Sequence, residues 1–341
     1  MITLHLGMPK TGTSALQSCA YLATTREVNP GFEYPIAGRG NAVAHHTLAN
    51  ALRSDGITSS TVMETLKEID TKKTSRHILI SSEAFTNILP DHNLPHLVSF
   101  IERCGGITET RAVLVMRAMD RFMESMYLQS VKSGSVATTI EEYVAKRISR
   151  QGRLFAAVSQ LKRQFGTRFQ VPILTKGFDT ISFFVNLLGE RGTKLEKYRS
   201  RADVNERKSW KLQNILLHLD KVSSQTGIEL DRAMLLQSAR RGDLSFKDDS
   251  IEYRVIPHSL ACQVRKAALS AATEHRVEEY IEAFKDIEIM EYEHKPLDFD
   301  AITKDDIEVI TRTITLQRLL ASRKSTGQTG TNPRDHHTTA A

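Results

Sequence analysis

One stretch near the amino terminus decides the fold of this chain: Leu4-His5-Leu6-Gly7-Met8-Pro9-Lys10-Thr11-Gly12-Thr13-Ser14-Ala15-Leu16-Gln17. An apolar run precedes a turn that contains glycine and proline, and a helical pattern begins at about Thr13. The stretch therefore predicts a strand, a loop and a helix in direct succession. Such a loop can hold an anion, because its backbone N–H groups and the positive end of the following helix face the same ligand.

The two glycines match the spacing of the nucleotide-binding pattern G-x-x-x-x-G-K-[ST], but the lysine has moved. Gly7 and Gly12 have the required separation, whereas Thr13 stands where that pattern has lysine and Lys10 lies inside the loop. In nucleotide-binding loops, a lysine and a Mg²⁺-binding hydroxyl serve a heavily charged triphosphate. A sulfuryl group carries less charge, so one lysine and neutral donors can hold it.

The loop resembles the 5′-phosphosulfate loop of bacterial-type sulfotransferases that use 3′-phosphoadenosine 5′-phosphosulfate (PAPS). The resemblance rests on Pro9-Lys10-Thr11-Gly12-Thr13-Ser14 and the following Leu16-Gln17. It implies that Lys10 neutralises charge on the leaving phosphate oxygen. It also implies that the phosphate is bound by Lys10, Thr11, Gly12, Thr13 and Ser14. The alternative is a tight turn without a ligand.

A second anion site is expected after the predicted strand at 111–117. Arg117, Arg121 and Ser125 are spaced four residues apart, so from Arg121 onward they share one helix face. The segment resembles the 3′-phosphate site of the same family, in which an arginine at the strand end and a serine eight residues later bind that phosphate. Arg117 and Ser125 match this pattern. A solvated basic helix face is the other interpretation.

Two side chains are candidates for the base that takes the proton of the acceptor. Glu83 directly follows the apolar run at 77–81, so we expect it at the carboxyl edge of a buried parallel strand. The run Ser81-Ser82-Glu83 resembles the Ser-Ser-Glu of many bacterial sulfotransferases. His46 competes with it, and the alternative role for Glu83 is to interact with a helix N-terminus. Metal binding by His45-His46 is not expected, because adjacent helical residues point in different directions.

A late segment, 202–210, resembles the family's asparagine-containing loop near the nucleotide. The resemblance implies that Asn205 contacts the cofactor. The segment departs from the family's Asn-x-Ser pattern, because Glu206-Arg207 replaces the expected small residues.

Composition indicates a cytoplasmic protein. The net charge of +6 is mild for 341 residues, so it predicts a basic nucleotide pocket rather than a nucleic-acid surface. The three cysteines have no paired spacing, which argues against a disulfide framework or a zinc site. The first strand begins within two residues of Met1, which leaves no room for a signal peptide. No apolar run reaches about 18 residues, so no membrane span is expected.

The predicted fold is α/β, a parallel sheet flanked by helices as in P-loop-like sulfotransferases. We expect one domain at 1–322, with a helical carboxyl-terminal part from about residue 205. The polar tail at 323–341 is expected to be disordered, because it has almost no apolar residues to bury.

The predicted function is sulfuryl transfer from PAPS, as co-substrate and without a metal, to a hydroxyl or amine of a carbohydrate, lipid or small metabolite. A P-loop kinase of small molecules is the alternative enzyme, and the displaced lysine argues against it. A nucleotide-binding protein without turnover is a third alternative. Glu83 argues against that one, since a binding protein needs no base.

Overall fold

The computed structural model describes residues 1–40, 42–72, 77–136, 138–199, 209–244, 246, 253–289, 292 and 294–326. These residues form two compact units. Within the described ranges, the first unit takes 1–127, 138–199 and 254–294, and the second takes 128–136, 209–253 and 295–326.

The first unit is built on a parallel sheet flanked by helices, as the sequence predicts. The strands are β1 (Ile2–His5), β2 (Phe32–Glu33), β3 (His77–Ser81), β4 (Thr110–Val113), β5 (Met116–Arg117), β6 (Phe169–Gln170) and β7 (Ile173–Leu174). Five of them pair in the order β2-β3-β1-β4-β6, and β5 pairs with β7 separately. All these pairings are parallel, and Ile2 of β1 is opposite Ile78 on one side and Thr110 on the other.

Helices make up most of the remaining structure. A short 3₁₀ helix, Glu83–Asn87, directly follows β3. The α-helices of the described residues are α1 (Thr13–Arg26), α2 (His46–Ser54), α3 (Ser60–Lys72), α4 (Leu94–Arg103), α5 (Gly106–Glu109), α6 (Met119–Ser133), α7 (Ile140–Ala145), α8 (Arg150–Phe165), α9 (Thr180–Leu188), α10 (Thr193–Lys197), α11 (Trp210–Leu217), α12 (Leu219–Thr226), α13 (Arg232–Arg241), α14 (His258–Glu274), α15 (Glu278–Phe284) and α16 (Lys304–Thr326).

The central strands are buried on both faces. His5 of β1 lies on the face toward α9, where its ring packs edge-on against Phe184 with the centroids 4.8 Å apart. The alternate residues Ile2 and Leu4 lie on the other face and are equally buried. The polar residues of β1 are buried as well, and each has a partner on β3: Thr3 Oγ1 is 2.8 Å from His77 Nε2, and His5 Nδ1 is 2.8 Å from Ser81 Oγ.

The direction of the chain across the sheet reverses at β1. The chain leaves β1 toward β2 and β3 on one side, and it then crosses to β4 and β6 on the other. In open α/β sheets, ligands bind outside the carboxyl ends of the strands at such a point. The loop after β1 and the 3₁₀ helix after β3 both lie at this edge.

The strand that the sequence predicts at 111–117 is divided in two, and the neighbouring strand region at 169–174 is divided in the same way. The run at 111–117 is split into β4 and β5, and the run at 169–174 is split into β6 and β7. Pro172 separates the second pair, and proline has no N–H to contribute to a ladder. The two segments stay hydrogen-bonded to each other between their strands, because Met116 N–H donates to the Pro172 carbonyl at 2.9 Å.

A buried charge network fixes α6. Asp120 is fully buried and accepts from Arg254 Nη2 at 3.1 Å and from Arg265 Nη2 at 2.7 Å. Glu124, one turn further, accepts from Arg254 Nε at 3.1 Å. Charges that are removed from water in this way are tolerated because each has a hydrogen-bonded partner of opposite sign. The network therefore connects α6 to Arg254 and to Arg265 of α14.

We expect Asp120→Asn to lower the free energy of unfolding by about 3–5 kcal/mol, because it leaves two buried guanidinium groups without their shared carboxylate. Urea unfolding followed by circular dichroism measures this loss. Glu279→Gln is the matched control, since that carboxylate pairs with Lys162 at 2.6 Å but is 39% exposed. Its loss should stay below about 1 kcal/mol. Equal losses in the two variants would contradict the role given to the network.

The second unit is helical, with α11, α12, α13 and α16. Lys211 and Asp306 form its buried ion pair at 2.8 Å, and Trp210 donates its indole N–H to the Lys295 carbonyl at 3.1 Å. Helix α16 continues to Thr326, past the predicted start of the tail at 323. Residues 327–341 lie outside the described residues. No helix in the described part of the chain has the length and apolar character that crossing a membrane requires.

Candidate active site

The loop between β1 and α1 is closed tightly, which explains its two glycines. A Cβ at Gly7 would lie 2.6 Å from Thr13 Cγ2, and a Cβ at Gly12 would lie 2.8 Å from Thr180 Oγ1. Gly12 precedes α1 in the left-handed region with a φ of 81°. Lys10 also has a positive φ, 67°. Such a conformation costs energy for a residue with a Cβ and is concentrated at functional sites.

Side chains from three other elements and from the loop itself bind the carbonyl groups of this loop. Each of these donors belongs to the first unit, and the bonds are short enough to hold the backbone in place. They are Thr86 Oγ1 to the carbonyls of Leu6 (2.9 Å) and Gly7, Thr11 Oγ1 to Met8 (2.7 Å), Arg117 Nη1 to Lys10 (3.0 Å) and Thr180 Oγ1 to Thr11 (2.5 Å).

The amino-terminal end of α1 is suited to an anion. The intrahelical bonding begins with Leu16 N–H to the Gly12 carbonyl, so the N–H groups before Leu16 lie ahead of the helical ladder. The first turn has no acidic residue, and Gly12 offers no side-chain cap. The partial positive charge of the helix terminus is therefore left for a bound group.

Arg117 and Ser125, which the sequence predicts as a pair, do lie together. Arg117 is the last residue of β5 and donates from Nη1 to Ser125 Oγ at 3.2 Å. The same nitrogen donates to the Lys10 carbonyl, so this pair is in direct contact with the loop. Arg121 is directed elsewhere. Its Nη1 lies 4.0 Å from Glu124 Oε2, and its side chain is 45% exposed.

Glu83 and His46, predicted as competing bases, are neighbours. His46 Nε2 lies 3.7 Å from Glu83 Oε1, an ion-pair distance longer than a hydrogen bond. The other carboxylate oxygen, Oε2, accepts from Gln17 Nε2 at 2.7 Å. His46 Nδ1 is 2.8 Å from Ser82 Oγ, which also accepts from Ala84 N–H. The carboxylate is thus fixed on one side and faces an imidazole on the other.

The hydroxyl groups of the loop differ in how accessible they are to a ligand. Thr11 is buried and its hydroxyl donates to the Met8 carbonyl, so this side chain stabilises the loop. Thr13 is 2% exposed, whereas Ser14 is half-buried. Asn205, predicted to contact the cofactor, lies outside the described residues, as do Arg207 and Lys208.

Two buried histidines support this edge of the sheet in their neutral form. Burial lowers the pKa of His5 to about 3 and that of His45 to about 4. Ser81 N–H donates to His45 Nδ1 at 3.3 Å, and His45 Nε2 lies 3.0 Å from the Pro35 carbonyl. These contacts fit a single tautomer, in which Nε2 carries the proton.

Sequence reasoning did not assign roles to Gln17, Thr86 or Thr180. Gln17 is 2% exposed and is the residue that orients Glu83. The sequence signal that could have identified Gln17 is its position, since it is a polar residue on the buried face of α1, three residues after Ser14. Thr86 and Thr180 gave no comparable indication, because their contacts to the loop span 79 and 169 residues of sequence.

Comparisons of the chain with family models, with curated proteins and with solved structures found no match. No relative therefore supplies a function or a set of site residues. The assignment of a function rests on the residues and distances of this site.

We expect the free energy of unfolding to fall as the pH is lowered from 6.5 to about 5. His5, His45 and His77 keep low pKa values when folded, near 3 for the first and near 4 for the other two, because burial disfavours the imidazolium. The unfolded chain binds these protons at about pH 6.5, so acid favours unfolding by up to about 1.4 kcal/mol per pH unit for each histidine.

Urea unfolding at a series of pH values measures this slope. His77→Gln should reduce it, whereas His92→Gln, at an exposed position, should leave it unchanged. A free energy of unfolding that stays constant or rises over this pH range would contradict the prediction.

Proposed function

We propose that this protein transfers a sulfuryl group from PAPS to a hydroxyl or amine acceptor. One observation carries the proposal: Arg117 Nη1 donates both to the Lys10 carbonyl in the loop and to Ser125 Oγ. Two elements that the sequence predicts to bind anions, 107 residues apart, thus contact each other. A ligand with two separate anionic groups, one at each end of a nucleoside, suits this arrangement.

The site suits PAPS better than ATP. Thr13, at the position where nucleotide-binding loops have their lysine, is 2% exposed and cannot reach across a triphosphate. Lys10 lies inside the loop, where it serves a single charged group. A P-loop kinase therefore fits these residues less well, and the oriented carboxylate of Glu83 argues against a protein that only binds nucleotides.

Glu83 is the proposed base. As the acceptor oxygen or nitrogen attacks sulfur in line with the leaving phosphate oxygen, its proton passes to Glu83 Oε1, the carboxylate oxygen that Gln17 does not hold. The S–O bond to the phosphate breaks with both electrons on oxygen, and Lys10 with the loop N–H groups stabilises that charge. The products are the sulfated acceptor and 3′-phosphoadenosine 5′-phosphate (PAP). Transfer of labelled sulfate from PAPS to a panel of hydroxyl and amine compounds, followed by mass spectrometry, tests the activity.

Arg117→Ala should remove the preference for a 3′-phosphate. A charged hydrogen bond in a partly desolvated site contributes about 1.5–3 kcal/mol, which corresponds to roughly 10–150-fold in affinity. Calorimetry should show PAP binding more tightly than AMP in the wild type and nearly equal binding of both in Arg117→Ala. Arg121→Ala is the matched control, since Arg121 lies next to Glu124.

The ratio of the PAP and AMP affinities is the informative quantity, because loss of Arg117 also loosens the loop and can weaken both ligands. A variant that keeps the full preference for PAP would show that the 3′-phosphate lies elsewhere. Tight, Mg²⁺-dependent binding of ATP by the wild type would favour the kinase alternative.

Glu83→Gln should lower turnover by roughly 10²–10⁴-fold, since it keeps the shape of the side chain and removes its basicity. Affinity for PAP, measured by calorimetry, should not change. His46→Ala should have a smaller effect, because His46 contacts Glu83 at 3.7 Å and acts through it. An active Glu83→Gln together with an inactive His46→Ala would make the histidine the base.

A further inference from the structure

An apolar pocket is lined in part by the 3₁₀ helix that begins with Glu83. Its volume is about 130 Å³, and its wall includes Thr86 of the 3₁₀ helix Glu83–Asn87 and Phe122 and Met123 of α6. The same 3₁₀ helix begins with Glu83, and α6 also carries Ser125. The pocket thus shares one 3₁₀ helix with Glu83 and one α-helix with Ser125.

The apolar wall is suited to an aromatic ring. Met119, Met123 and Met126 line one side, and Phe122 and Tyr143 lie beside them. Methionine adapts to the shape of a ligand, and its sulfur makes favourable contacts with ring edges. A cavity of about 150 Å³ accommodates benzene, so this pocket has the size of about one ring.

A buried amide in the wall lacks partners. Gln151 of α8 is 2% exposed, and neither its Nε2 nor its Oε1 has a hydrogen-bond partner among the residues described. Buried polar side-chain atoms are nearly always paired in folded proteins. A ligand that brings both an acceptor and a donor to the amide would satisfy the two atoms together.

Two charged residues line the pocket within the described ranges, and both are arginines. Arg147 and Arg150 line the pocket, and neither has a carboxylate at ion-pair distance in the part of the chain that the structure describes. Arg147 is held with its guanidinium carbon 3.8 Å from the centroid of the Tyr143 ring. Guanidinium groups favour an anionic ligand group such as a carboxylate, which they can bind through two parallel hydrogen bonds.

We propose that this pocket binds the acceptor, and that the acceptor is a ring-sized hydroxy compound with a carboxylate and an adjacent hydrogen-bond donor at its far end. This inference rests on the proposed sulfuryl transfer. The reacting hydroxyl lies toward Glu83, the ring lies among the methionines, and the carboxylate accepts from Gln151 Nε2 and the arginines. The adjacent donor bonds to Gln151 Oε1. The pocket thus selects small aromatic hydroxy acids over sugars and long-chain lipids.

Three probes separate these contacts. 4-Hydroxymandelate carries the ring, the carboxylate and an adjacent hydroxyl, 4-hydroxyphenylacetate lacks that hydroxyl, and 4-methylphenol lacks both groups. Calorimetry on the full chain, without PAPS, should give the affinity order in which the probes are named here. The first and last should differ by at least about tenfold. Equal binding of all three, or tighter binding of N-acetylglucosamine, would overturn the inference.

Two substitutions with matched controls test the assigned residues. Gln151→Leu and Arg147→Gln should each weaken 4-hydroxymandelate by about tenfold or more and leave 4-methylphenol within about twofold. Gln164→Leu and Lys146→Gln are the controls, because neither residue lines the pocket. The first repeats the glutamine substitution elsewhere, and the second removes a positive charge next to Arg147 in sequence. Neither variant should change the affinity for any of the three probes. Gln151→Leu should also raise the Tm, since it removes two unpaired polar atoms. Unchanged acid binding in both pocket variants would overturn the inference.

Met126→Trp provides an independent test, because it fills the pocket from α6 and should abolish binding of every probe.

Calorimetry with PAP on the wild-type protein separates the proposed sulfuryl transfer from the ligand class proposed for the pocket. Acid binding without PAP binding would overturn the sulfotransferase proposal and support the ligand class of the pocket. PAP binding together with sulfate transfer only to acceptors whose sulfation is unchanged in Gln151→Leu and Arg147→Gln would support the sulfotransferase proposal. The same result would overturn the ligand class proposed for the pocket.

Discussion

The candidate site depends on the way in which the carbonyl groups of the loop after β1 are bound by side chains from elsewhere in the first unit. In a trans peptide the C=O and the following N–H point in opposite directions. Fixing the carbonyls of Lys10 and Thr11 through Arg117 and Thr180 therefore turns the next two N–H groups the other way. The loop could present its N–H groups to a ligand because its carbonyl groups already accept hydrogen bonds from side chains of the protein.

The same constraint explains the glycines and the strained lysine. The loop must turn from the centre of the sheet into α1 within a few residues, and Thr13 and Thr180 press against it. Only glycine fits at positions 7 and 12, while Lys10 accepts a positive φ that Arg117 helps to hold. Strain of this kind persists only where the surroundings fix the backbone, and the neighbouring α6 is itself fixed by buried ion pairs.

The two candidate bases form one unit in the fold. Glu83 is held by Gln17 from α1 and faces His46, whose other ring nitrogen is engaged by Ser82. The two candidate bases therefore belong to one cluster, in which Oε2 of Glu83 accepts from Gln17 and Oε1 faces the imidazole of His46. Gln17, a residue of the loop motif without an assigned role, connects the candidate anion site to Glu83. The loop after β1 and the position of Glu83 are thus coupled through one helix, α1.

The sequence by itself determined the local features: the strand-loop-helix around Gly7 and Gly12, the buried run before Glu83, and the arginine and serine eight residues apart. These follow from short-range patterns, because helix periodicity, glycine conformation and apolar runs are properties of neighbouring residues. The tertiary structure alone decided that Arg117 contacts the loop, that Thr86 and Thr180 brace it, and that Gln151 is buried without partners. Such contacts join residues far apart in the chain, where the packing of whole elements, and not any local preference, sets which side chains meet.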